Sequence, residues 1–228
     1  MNSGFVSWTT GLLADLTRLA LLVGTIGAAL LSSLADAALF ALVFALLLLP
    51  RFARIPKPFD LAVCVLLPLA TLATTADWYQ RFAWTDWVMH CLATGAVAAA
   101  VYLMLAGTRL LPPMRDQRRS ITVTLTVTIG LTIGVVWEFV EWFFLEVLSV
   151  PVGVGYGDTI ADLAMDTLGS LLGGLAIVAW IAWAGYDRLP ESVRAARSAP
   201  HGRPGFAAAV PGIQISPTKD GHGRRGAV

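Results

Sequence analysis

Six apolar runs follow one another along this chain, and nearly all of its positive charge collects in the connections between them or after the last. A helix that crosses a bilayer needs about 20 predominantly apolar residues, because lipid offers no partner to backbone polar groups that the helix does not bond itself. Runs of this kind occupy approximately residues 11–33, 34–49, 60–76, 86–107, 121–144 and 159–186. Only 14% of the residues are charged, against about a quarter in soluble domains. The expected fold is therefore all-α: a polytopic bundle of six transmembrane helices over residues 1–187. Residues 188–228, rich in Pro, Gly and Arg, cannot bury a core and read as a disordered tail.

Two helices joined by a tight turn at Ser32-Ser33 are expected from the first two runs. Ala35-Asp36-Ala37 also reads as the small-x-small site of a cleaved signal peptide, although cleavage there would start the chain inside an apolar run. One long tilted helix over both runs is a third reading. Pro50 to Pro58 is read as a connection that ends the second helix and delays the third, and Pro68 as a kink within the third. Cys64 and Cys91 lie inside apolar runs and are read as small buried hydrophobes.

In a six-span arrangement, fifteen of the sixteen Lys and Arg residues fall on one side and only Arg81 on the other. The positive-inside rule makes that side the cytoplasm, with both termini inside and the tail cytoplasmic. A bacterial inner (cell) membrane is the expected location. No basic patch with interleaved aromatics interrupts the spans, so nucleic acid is not an expected partner.

The acidic residues point the other way. Asp86 and His90 are one turn apart on the fourth span, Glu138 and Glu141 share a face of the fifth, and Asp158, Asp162 and Asp166 recur every four residues on the sixth. Counting from the nearest arginine at ~1.5 Å per residue places His90, Glu138 and Asp166 roughly 28, 28 and 33 Å above the basic side. Three distant stretches thus bring polar groups to one level near the outer edge of the hydrocarbon. Solvation or helix capping accounts equally for Asp86, Glu141 and Asp158, whereas His90, Glu138, Asp162 and Asp166 lie further in. Crowded carboxylates need compensation, either a shared proton or a bound cation. Oxygen-rich ligands with a single imidazole suit Mg, Mn or Ca, with Glu138, Asp162, Asp166 and His90 as the candidate ligands. Gly130-xxx-Gly134 and Gly169-xxx-Gly173 are expected to let the fifth and sixth spans approach closely.

At these residues the chain resembles the YjdF-like bacterial inner-membrane proteins, a family of unknown function. The likeness lies in Asp86-x-x-x-His90, Glu138-x-x-Glu141 and Asp158-Thr159-x-x-Asp162, within about residues 77–175. More remotely it is similar to VanZ-like proteins, with Glu141 in place of a Gln and Asp166 in place of an Asn. The resemblance implies a cell-envelope membrane protein and no particular activity. Three functions stay open: a protein binding a cation or lipid headgroup, a metal-assisted enzyme acting on a lipid or prenyl phosphate with His90 as acid or base, and a proton- or cation-coupled transporter.

Overall fold

A computed structural model of the chain describes residues 3–31, 34–82, 84–108, 110–112, 114–149 and 155–185; the tail read as disordered lies outside them. Six crossings are present by length and composition. They are α1 (Ser3–Leu31), α2 (Leu34–Ala53), α3 (Lys57–Thr75), a composite fourth crossing, α7 (Arg119–Glu146) and α8 (Tyr156–Ala184). A single turn, α4 (Trp78–Arg81), precedes the fourth crossing, which is built from α5 (Trp84–Met89), a π-helical turn (His90–Thr94) and α6 (Gly95–Ala106). The protein is thus an all-α, six-span transmembrane bundle.

Pro50 does not end the second helix, contrary to expectation: α2 continues to Ala53 with Pro50 in its last turn. A proline lacks only its own N–H and clashes with the carbonyl one turn back, so a final turn after it survives. The stop comes from Arg54, at φ 54°. Its N–H bonds to Arg51 O while Ile55 N–H reaches back to Pro50 O, each at 3.3 Å, the paired bonds of a left-handed helix C-terminus. Pro68 lies inside α3, which runs unbroken past it.

One guanidinium ties the first three helices together. Arg18 of α1 donates from Nε to the carbonyl of Leu47 on α2, 3.0 Å away, and pairs through Nη2 with the Asp60 carboxylate of α3. Its Nη1 bonds Asp15 at 3.0 Å, and Arg51 reaches the same Asp15 oxygen at 3.1 Å. Arg18 is 5% exposed and Asp60 1%. The Arg18–Leu47 contact lays α1 beside α2, which rules out one long helix over both runs. It also builds α1 into the bundle: cleavage at Ala35-Asp36-Ala37 would leave Asp60 buried without its partner.

Apolar and polar packing separate along the bundle axis. The apolar core gathers in the basic half, where Leu47, Phe59, Val63, Cys64, Tyr102, Leu103 and Ile177 interlock. There Phe59 of α3 meets Trp180 of α8 edge-on, with centroids 6.1 Å apart. In α7, by contrast, the buried positions are Thr122, Thr126, Gly130 and Gly134, one per turn, with no large apolar residue among them. The facing stripe of α8 is Asp162, Asp166, Ser170 and Gly174. Small residues let membrane helices close to backbone distance, where dispersion and polar contacts replace a hydrophobic driving force that lipid does not supply.

The glycines set who meets whom. A Cβ on Gly134 would overlap the Asp166 carboxylate, and one on Gly130 would overlap Ser170, so these two face α8. Gly169 and Gly173, expected against the same partner, face the fourth crossing instead. A Cβ on Gly169 would overlap the Cys91 carbonyl, and one on Gly173 the Gly95 carbonyl. Gly174 is the glycine of α8 that meets α7, at Val123 and Thr126. A small-xxx-small pattern marks a close-approach face without naming its partner.

Two stability measurements follow. Asp60→Ala leaves the buried Arg18 guanidinium with the Leu47 carbonyl and the more exposed Asp15 carboxylate and is expected to destabilise the protein by about 3 kcal/mol, the low end for breaking a buried pair, in thermal unfolding of the detergent-solubilised chain. The double variant Arg18→Met/Asp60→Leu should recover most of that loss. An unchanged melting temperature in the single variant would show that the pair does not hold α1 in place.

Candidate metal centre

The fourth crossing supplies three polar residues one turn apart, Asp86, His90 and Thr94, and all three look toward the acidic half of α8. His90 begins the π-helical turn. Such wide turns occur mostly as short insertions in α-helices, often at functional sites. Here the turn holds Cys91, whose carbonyl receives the backbone of Gly169. That contact brings Asp166, one turn earlier on α8, beneath the imidazole.

His90 has a carboxylate beside each ring nitrogen. Its Nδ1 lies 3.2 Å from Asp166 Oδ1, which also accepts a 2.6 Å hydrogen bond from the Thr94 hydroxyl. Its Nε2 lies 3.7 Å from Asp86 Oδ1. Asp166 accepts from Thr94 and cannot donate when ionised, so the imidazole carries its proton on Nδ1 in the neutral state. Nε2 is then a free lone pair directed at the Asp86 side.

Asp162 completes the arrangement. Asp86, His90 and Asp162 each offer a ligand atom, and the three atoms lie within 4.8 Å of one another. Among the described residues this is the group of His, Cys, Asp and Glu side chains that meets that spacing. The trio shares His90 and Asp162 with the ligands expected from the sequence and includes Asp86; Glu138 and Asp166, the other two expected ligands, each keep a buried oxygen without a hydrogen-bond partner among the described residues. Asp162 and Asp166 are 1% and 0% exposed. Asp162 Oδ1, Asp166 Oδ2 and Glu138 Oε1 are buried without a hydrogen-bond partner among the described residues. A buried carboxylate oxygen with nothing to accept from is costly, which makes these three atoms a demand for a proton, a water or a cation.

The remaining acids sit around this centre. Glu141 accepts a 2.9 Å bond from the Trp137 indole on its own helix. Asp158 lies in the first turn of α8, whose N-cap is Gly155. Tyr79 of α4 stands beside the site. Burial pushes its phenol up to about 12, and the nearby Asp86 and Glu141 charges push in the same direction, so it stays protonated, and its hydroxyl donates to the Ala70 carbonyl at 3.4 Å. Two contributors were not singled out from the sequence, Thr94 and the π-helical turn. Thr94 was legible in principle, standing four residues after His90 as His90 does after Asp86.

Residues 11–183 match a family model described as Predicted membrane protein (DUF2238). No curated protein matches the chain, and no solved structure does. The match makes no link to YjdF-like or VanZ-like proteins. It spans all six crossings from α1 to α8 and well over half of the residues, so the chain belongs to the DUF2238 family of predicted membrane proteins.

Proposed function

We propose that this protein binds one divalent cation at the acidic end of its bundle, through the Asp86 and Asp162 carboxylates and Nε2 of His90. The observation that carries the reading is the pairing of that trio with Asp166. A metal-bound histidine almost always donates its other N–H to a carboxylate or carbonyl, which fixes the ring and raises its basicity. Asp166, itself steadied by Thr94, stands where that acceptor belongs. Two carboxylates and one imidazole favour Mn or Mg over the sulfur- or histidine-rich sets of structural zinc. Positive-inside topology turns this end outward, toward the outer leaflet.

Three protein ligands leave coordination positions free, and this favours a second, narrower reading. An anionic headgroup or lipid phosphate from the outer leaflet would occupy them, and a bound ion there polarises a phosphoryl oxygen. Enzymatic turnover on such a lipid is the extension of this reading. A coupled transporter is less well supported. The buried charged residues described in the basic half are Arg18 and Asp60, and they neutralise each other. The resemblance to YjdF-like and VanZ-like proteins rests on motif spacing alone and adds no activity to either reading.

Elemental analysis of detergent-purified protein equilibrated with Mn is expected to give one ion per chain, and none in Asp162→Asn. Stoichiometric Mn retained by that variant would remove Asp162 from the site. Asp166→Asn, which leaves the trio intact, should weaken Mn binding by about 10–100-fold in a fluorescence competition titration. Because the ligands bind metal only when deprotonated, affinity should fall as pH is lowered and rise as it increases; a flat profile between pH 5 and 8 would contradict carboxylate–imidazole ligation.

A further inference from the structure

At the opposite, basic end, α7 and α8 form a partly open cleft of about 230 Å³ with the turn that precedes α7. We infer that it holds the phosphodiester headgroup of an anionic phospholipid from the adjacent leaflet. One wall is polar, formed by Gln117, Arg119 and Thr122, and the other is apolar, formed by Val178, Ile181 and Ala182 of α8.

The polar wall is held in place from behind. The buried Tyr102 hydroxyl donates to Gln117 Oε1 at 3.1 Å and meets Thr122 Oγ1 at 3.0 Å, while Gln117 Nε2 donates to the Pro112 carbonyl at 2.6 Å. With those groups committed, the Arg119 guanidinium is the charged group left to address a ligand. No carboxylate among the described residues forms an ion pair with it. It stands in the first turn of α7, whose N-cap residue Arg118 provides no side-chain cap. Exposed first-turn amides and the positive end of the helix dipole add to its field. Arg109, Arg115 and Arg118 share the same connection.

An anion bound here touches apolar surface as well, which a free phosphate does not need and a lipid does. The volume lies below the ~300 Å³ at which whole small-molecule sites begin. It therefore suits a headgroup and its first methylenes, with the acyl chains continuing along the outside of α8, where Leu175 and Trp183 are exposed. Basic pockets between membrane helices at the cytoplasmic boundary bind anionic lipids on the same physical grounds. The site is separate from the acidic-end trio and does not depend on it.

The test is native mass spectrometry of the full-length chain, titrated with phosphatidylglycerol or phosphatidylcholine. The expected result is one phosphatidylglycerol retained at least tenfold more tightly than phosphatidylcholine. Arg119→Gln should lower that affinity about fivefold, the effect of one basic residue at a membrane surface, and Ile181→Trp should abolish it by filling the apolar wall. Arg118→Gln should change it less than Arg119→Gln. Equal retention of the two lipids overturns the inference, and so does an equal loss in the two arginine variants, which would indicate diffuse attraction. Displacement by millimolar inorganic phosphate, with Ile181→Trp unaffected, would make the site a simple anion site and overturn the lipid assignment.

Discussion

The backbone of α8 lies directly against the fourth crossing, and the polar centre depends on that contact. Gly169 rests on the Cys91 carbonyl inside the π-helical turn, and Gly173 rests on the Gly95 carbonyl one turn further along. A β-carbon at either glycine would force the helices apart. Because α8 can come no nearer and cannot slide without overlap, Asp166 is held under His90, and Gly134 on α7 leaves room for the Asp166 carboxylate from the other side. Three helices thus determine the position of one carboxylate, which in turn determines which nitrogen of His90 is free. The chemistry of the site is a consequence of helix packing distances.

The division of labour along the axis gives this arrangement its support. The basic half contains the interlocked apolar core and the Arg18–Asp60 pair that joins α1, α2 and α3. Buried ion pairs add little net stability relative to apolar packing, but breaking one is expensive, so this pair acts mainly to specify the packing partners of α1. The acidic half gives up apolar packing for small and ionisable residues. Its unpartnered carboxylate oxygens are tolerated because the rest of the bundle is well packed, and functional sites commonly carry such locally unfavourable groups.

Much of the fold is legible in the sequence because the bilayer imposes a length and a polarity on every crossing. The apolar runs and the basic connections mark six crossings, although α1 begins two turns before its run, and the four-residue recurrence of Asp158, Asp162 and Asp166 marks an acidic face of α8. Other features depend on contacts that no run or spacing encodes. Arg18 and Asp60 each look like ordinary charges at the margin of an apolar segment, and only the hairpin of α1 and α2 against α3 brings them together. Gly169 and Gly173 declare a close-packed face, but that face meets the fourth crossing and not α7. The grouping of Asp86 and His90 with Asp162 joins residues of two crossings that no spacing within one run brings together.

Cation binding of the proposed kind requires His90 to offer Nε2 while Asp166 holds Nδ1. Pulsed electron paramagnetic resonance of the Mn-loaded protein reads this most directly, since a coordinated imidazole nitrogen leaves its own hyperfine modulation. A single coordinated nitrogen is expected in the wild type, and its signal should disappear in His90→Ala. Bound Mn with no nitrogen coupling, or a nitrogen signal that survives removal of His90, would contradict it.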